Sequence, residues 1–350
     1  MASPGTDSKS THHINPRAEA RNVILEPGRS LTPLSLRRQF RRLRLNVAQT
    51  DLRWQSKLVL LIVLPGVGAH VLLEAHWWSL QSAPVALWTL SLAALFGLVT
   101  LKIRAATPWA ALTGAAILAS LMFATTYFPY VPWHTALVPV LVVVVLSSAT
   151  TSLGRRKKER LHTAERRRGR SPSQVAANLG IAAIAASEFF QSWLVDSHGF
   201  TNTTLVPMPL FAIALAALAE AAADTASSEF GQVYGGNPRM ITTFRKAEPG
   251  ANGAISLAGT LAGVTAAAAV AAAGTYALSG DRTMFWLSCA GGVFGLLFDS
   301  LLGATLEKNG WINNDAVNFL STASAAIFAI AILATLRPPP PVPPLHGITH

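Results

Sequence analysis

Acidic residues recur at helical spacing between two very apolar stretches: Glu220, Asp224 and Glu229 all fall within residues 219–231. Residues four apart share a helix face, so Glu220 pairs with Asp224 and Thr225 with Glu229. One or two carboxylates of this kind suit Mg²⁺, which keeps waters and takes phosphate oxygens as further ligands. What a phosphate requires follows directly. Arg239, Thr242, Thr243 and Lys246 come next, then Gly250-Ala-Asn252-Gly253 just before another apolar run. Free N–H groups at a helix start could cradle an anion there. A further carboxylate, Asp299, shares one helical face with Gly292, Gly295 and Gly303, at intervals of three and four. Glycines on such a face allow close helix approach. Packing explains the glycines but not the acid, because burying a carboxylate is costly without a cation or donor.

Other residues join these by position. Arg170 and Asn178 flank the start of one apolar run, Ser300 follows Asp299, and Asp315 and Asn318 open the last run. Simpler readings exist for some. Asn313, Asn314 and Asp315 can cap a helix, and the cations of 155–170 can anchor the chain at a membrane surface. Glu188 reads as a buried acid within an apolar run, of the kind usually paired or functional. Of nine histidines only His162 lies in these loops, and there is no Walker A lysine motif or zinc cysteine pair. A phosphate acceptor suits this inventory better than an alcohol. Its second pKa is near 6, so it needs little help from a base, and metal, arginines and positioning suffice.

The elements that must position these groups are membrane spans. Charged residues are 13% of the 350, apolar residues 51%, and mean hydropathy is +0.39; soluble domains carry about a quarter charged residues. Windows of about 20 nearly uncharged residues, the length of a spanning helix, fall near 57–76, 83–101, 107–127, 134–153, 174–195, 205–223, 254–278, 283–304 and 315–336. The first is interrupted by Pro65-Gly66 and reads as one span or two shorter pieces. The expected fold class is all-α, a polytopic membrane protein of about nine spans. With that count every Lys and Arg except Arg282 and Arg337 falls on one side. The positive-inside rule then assigns N-in, C-out, in a cytoplasmic membrane with the polar loops on the cytoplasmic face.

Residues 1–56 read as a basic, disordered extension ending in an interfacial helix near 34–45, residues 57–337 as the membrane domain, and 338–350 as a Pro-rich tail. The net charge of +11 flanks spanning segments, so anionic lipid rather than nucleic acid is the expected partner. A single cysteine, Cys289, permits no intramolecular disulfide.

At these residues the chain resembles an integral-membrane family, mostly uncharacterised, that includes the plant chloroplast phytyl-phosphate kinase. The resemblance rests on residues 105–115, Leu146-Ser147-Ser148 with residues 154–160, and Gly169-Arg170 with residues 174–178. It continues through 223–229, 238–243, 249–261, 297–305 and 314–318. It covers roughly 100–335; Ala226 departs from the bulkier residue usual at its position. The resemblance implies a kinase of isoprenoid monophosphates, using CTP, that makes the diphosphate. Placed on the residues above, that activity has Asp224, Glu229 and Asp299 holding Mg²⁺, with Arg239 catalytic. Arg170, Arg239 and Lys246 would bind the nucleotide tail and the acceptor phosphate. Asn178, Thr242, Thr243, Asn252, Gly253, Ser300, Asp315 and Asn318 would position them. Two alternatives use the same residues: a transporter or flippase of an anionic lipid or metabolite, and a cytidylyltransferase forming a CDP-lipid.

Overall fold

Apolar runs this long satisfy their backbone in a bilayer only as helices or closed barrels, and here each predicted span becomes a helix. The computed structural model of the chain describes residues 52–161, 169–198 and 208–336. Within them α1 spans Arg53–Gln81, α2 Ala83–Lys102, α3 Pro108–Ala124, α4 Leu137–Ser152, α5 Arg155–Leu161, α6 Pro172–Ala186 and α7 Glu188–His198. Then come α8 over Met208–Tyr234, the two-residue strands β1 (Arg239–Met240) and β2 (Ala254–Ile255), α9 over Leu257–Ala277, α10 over Arg282–Leu302 and α11 over Asn314–Thr335. Among the described residues, α1, α2, α8, α9, α10 and α11 are long and apolar enough to cross a membrane; α3, α4 and α6 are apolar but shorter.

The centre of the bundle is α8. Its alanine-rich stretch from Ala212 to Ala223 is buried throughout. Small side chains there let α4, α6, α9, α10 and α11 all pack against one helix. The periphery is the reverse: Leu61 and Leu72 on α1 and Leu87 and Leu98 on α2 are exposed, an outer apolar surface that suits lipid.

Three expectations about the spans are resolved or corrected, and one feature adds to them. Pro65 does not split the first span, and α1 runs through it unbroken; membrane helices tolerate proline because neighbours re-satisfy the freed carbonyl. The fifth span does not run to 195. It breaks at Ser187, whose ψ of 141° is extended and whose hydroxyl donates to the Ile184 carbonyl. The sixth span, expected to end near 223, continues as helix to Tyr234 and so carries Asp224 and Glu229 at the helical spacing expected of them. Finally, β1 and β2 form a small antiparallel pair, Arg239 opposite Ile255, within an otherwise helical chain. The interfacial helix expected near 34–45 and the Pro-rich tail lie outside the described residues.

Candidate functional site

The site begins where α10 crosses α8. A β-carbon on Gly292 would stand 2.7 Å from Cβ of Ala219, and one on Gly295 would stand 2.5 Å from Cγ of Glu220 and 2.9 Å from the Ser321 carbonyl of α11. With no side chains there, three helices close on one point. Glu220 is left 1% exposed. One turn on, Asp224 reaches hydrogen-bonding contact with Asp299 of α10. The Ser321 hydroxyl donates to the Asn318 carbonyl at 3.0 Å and also interacts with Glu220 and Asp299. It has one proton to give, so it cannot satisfy all three. Glu220 Oε1 and Asp299 Oδ2 are buried without a hydrogen-bond partner. Neighbouring buried carboxylates repel one another and call for a cation.

A fourth acid was not singled out from the sequence. After Leu302 the backbone widens into a π-helical turn, Gly303–Glu307, a distortion frequent at functional sites. Glu307 is eight residues past Asp299; at about 100° per residue it would be turned roughly 80° off that face. The wider turn winds more slowly and returns it, so that Glu307 interacts with both Asp224 and Asp299. The turn at 250–253 lies directly against this segment. Gly253 sits at φ +74°, and a β-carbon there would fall 2.3 Å from the Ala304 nitrogen. That corrects one expectation: the glycine turn does not open the next helix. Instead Ser256 caps α9, accepting from the Gly259 N–H at 3.1 Å.

The cationic wall is built from two loops stitched together. The Arg170 N–H donates to the Ala105 carbonyl at 2.9 Å, and the Arg170 carbonyl accepts from Thr107 at 3.1 Å. Ser171 and Gln174 then form a reciprocal capping box that starts α6. This fixes Arg170 close enough to interact with Asp224. Two turns into α6, Asn178 accepts from the Asn318 amide at 3.5 Å, while Thr322 donates to the Ala177 carbonyl at 3.2 Å. The α6 and α11 walls are thereby joined. Beside Arg170 a cavity of about 400 Å³ opens between α2, α3, α4 and α6. Arg104, Arg155 and Arg170 stand at its polar end, and Phe96, Gly114 and Val143 line its apolar depth.

The remaining expected residues divide. Glu229 forms an ion pair with Lys158 at 2.5 Å. The Lys158 side chain is 1% exposed and also donates to the Thr150 and Thr151 carbonyls at the end of α4. Asp315 accepts from the Ser56 hydroxyl at 2.6 Å, and it is Asn313 that caps α11. Ser300 neighbours Asp299 on α10. Arg239, Thr242, Thr243, Lys246 and Asn252 are exposed on the segment around the β-pair. The Arg239 guanidinium closes that segment by donating to the Phe244 carbonyl at 2.9 Å. None of the five makes a hydrogen bond or ion pair to Asp224 or Asp299. Glu188, expected to be buried, is exposed at the start of α7. It lines a second cavity, about 1290 Å³, at the opposite end of the bundle beside His70 and Glu74.

Among the described residues no three His, Cys, Asp or Glu side chains converge as a finished metal cage. Asp224 and Asp299 with two unpartnered acid oxygens nearby fit a different kind of ion. Mg²⁺ takes one or two carboxylates and completes its shell with water and phosphate.

The sequence profile of the integral membrane protein family DUF92 matches residues 91–326. The uncharacterized membrane protein MJ0933 of Methanocaldococcus jannaschii is 43% identical over 122 residues, 35% of this chain and 51% of that protein. The uncharacterized membrane protein sll0875 of Synechocystis is 33% identical over 220 residues, 59% of this chain and 76% of that protein. The chloroplastic protein VTE6 of Arabidopsis thaliana is 30% identical over 191 residues, 53% and 55% of the two chains. The chain thus spans about half the length of the first and third of these. No solved structure matches.

Proposed function

This chain belongs to the DUF92 family of integral membrane proteins, and from that premise we propose that it is a membrane-embedded kinase converting a prenyl monophosphate to the diphosphate at the expense of a nucleoside triphosphate. The observation that carries the reading is the meeting of Asp224 and Asp299, with buried acid oxygens left unpartnered, beside Arg170. That arrangement needs a divalent cation and an anion together. Resemblance to the family that includes the plant phytyl-phosphate kinase supports a prenyl phosphate as the lipid and CTP as the donor.

In this reading Asp224 and Asp299 would hold Mg²⁺, with the acids Glu220 and Glu307 beside them. Bound Mg²⁺ would neutralise charge on the transferred phosphoryl group. Arg170 orients the anion against the carboxylates, and Asn178 and Asn318 hold the α6 and α11 walls in register. Glu229 is committed to Lys158, which makes it a support for the α4–α5 corner in preference to a metal ligand. Arg239, Thr242, Thr243, Lys246 and Asn252 are left as candidates for the distal part of the nucleotide, from an exposed segment. The site faces the cytoplasm of a cytoplasmic membrane, because the cations concentrate at its end of the bundle.

The test is to incubate the purified protein with Mg²⁺, CTP or ATP, and a panel of prenyl and diacylglycerol phosphates, reading products by mass spectrometry. A prenyl diphosphate supports the kinase. A CDP-lipid assigns the chain to the cytidylyltransferases, and absence of any product returns it to the transporters.

A further inference from the structure

The cavity between α2, α3, α4 and α6 is not accounted for by a nucleotide and a metal. Its two halves differ in chemistry. At the polar end stand three arginines from three separate segments: Arg104 after α2, Arg155 opening α5 and Arg170 before α6. The apolar depth is walled by Phe96 of α2, Gly114 of α3 and Val143 and Val144 of α4. Ala110 and Gly114, four residues apart on α3, both line it, so the cavity extends about 6 Å along α3 at 1.5 Å per residue.

Several features mark the arginine end as a built site. Arg104 holds φ +59°, a left-handed conformation uncommon in residues with a β-carbon and one that concentrates at ligand clamps. It is kept there by the stitched loop, in which a β-carbon on Gly169 would fall 2.8 Å from the Arg104 carbonyl. Among the described residues Arg155 is held by an exposed pair with Glu159, through Nε at 3.2 Å, an interaction worth little in water. Its terminal nitrogens remain able to fork onto an anion. Arg170 faces two ways, lining this cavity and interacting with Asp224. The volume of about 400 Å³ lies within the range of small-molecule sites, whose usual lining is apolar with a few convergent polar groups.

We propose that this cavity is a lipid-phosphate site: Arg104, Arg155 and Arg170 grip a phosphate monoester headgroup, and the first part of its apolar chain lies against Phe96, Gly114 and Val144. The identity of that lipid as the kinase's acceptor rests on the function proposed above; the cavity itself does not. Arg170 is then the shared wall through which the headgroup meets the carboxylate cluster. Gly114 sets the room for the chain. A β-carbon there meets only Phe96 at 3.4 Å and Val175 at 3.7 Å, so alanine fits and a larger side chain grows into the chain's space.

The experiment is direct binding to the full-length protein in nanodiscs, with non-transferable probes. These are an isoprenyl phosphonate of four isoprene units, its one-isoprene counterpart, and inorganic phosphate. Gly114→Leu and, independently, Val144→Phe weaken the long probe by about tenfold or more while changing the short probe by less than about twofold; Arg104→Gln weakens both by about tenfold. Two cavity variants are used so that one failing to fold leaves the other as the test. The proposal is overturned if the long probe binds both cavity variants as it binds wild type, or ignores Arg104→Gln. It is also overturned if inorganic phosphate binds as tightly as the long probe. Binding with the expected sensitivities but no diphosphate from any nucleotide would leave the cavity standing and remove the kinase. Phosphoryl transfer that is indifferent to these substitutions would do the opposite.

Discussion

Gly295 and Glu220 are matched: a β-carbon on the first would stand 2.5 Å from Cγ of the second. The missing side chain on α10 is what admits a carboxylate to the interior of α8. The acid in turn explains why a glycine at that point is more than a packing convenience. Gly295→Ala forces Glu220 and the Ser321 backbone apart. Overpacking of this kind typically costs about 1–3 kcal/mol. The melting temperature falls, and turnover falls further than stability alone accounts for. Gly66→Ala, with no atom within 4 Å of the added β-carbon, leaves turnover unchanged and does not lower the melting temperature.

Asp224→Asn and Asp299→Asn separate function from folding. Each replaces one of two adjoining buried acids with a neutral amide, which relieves the metal-free protein of burying an ionisable group beside another, so its melting temperature holds or rises. Turnover drops by roughly a thousandfold, as expected where several kcal/mol of charge stabilisation is lost. Thermal denaturation and initial rates on the same preparations decide the matter; near wild-type rates in either variant would remove these residues from the site.

Lys158 and Glu229 make the contrasting case. Removing one partner of a buried pair leaves an uncompensated charge, at a cost of about 3–5 kcal/mol. Lys158→Met is therefore strongly destabilising, and Lys158→Met combined with Glu229→Leu recovers much of the loss. Glu229→Gln keeps turnover within about tenfold of wild type while Asp224→Asn does not. A double-mutant cycle by chemical denaturation measures the coupling. Loss of activity in Glu229→Gln equal to that in Asp224→Asn would return Glu229 to the metal.

Metal removal has a readout besides activity. Mg²⁺ at about a hundred times its Kd stabilises a protein that binds it only when folded by about 2.7 kcal/mol. Wild type shows an upward thermal shift with Mg²⁺ that EDTA abolishes, and Asp299→Asn shows none. A shift that persists in Asp299→Asn places the cation elsewhere.

Much of this was legible in the sequence, for identifiable reasons. Long uncharged runs located the helices, because a bilayer leaves them few other choices. The three- and four-residue spacing of Gly292, Gly295 and Asp299 indicated a common face, and the structure brings Asp299 to Asp224. What escaped depended on local departures from regular geometry. Glu307 joins the carboxylates only through a π turn that α-helical spacing does not anticipate. The left-handed Arg104 reaches the cavity rim through a loop held by Gly169, a contact 65 positions away in the chain. Glu188 was misplaced because Ser187 ends the helix although the apolar run continues. Lys158 read as one of many surface cations, since nothing in a run of basic residues marks the member that turns inward.

In the proposed function, the carboxylate cluster directs transfer of the terminal phosphoryl group of a nucleotide to a lipid phosphate. The most direct measurement uses the protein in nanodiscs with Mg²⁺, phytyl phosphate and CTP carrying ³²P at either the α or the γ position. A kinase puts label into the lipid from γ-labelled CTP alone, in the outer phosphate of a diphosphate, and none with Asp299→Asn. Label arriving from the α position, or no labelled lipid from either, would contradict that function.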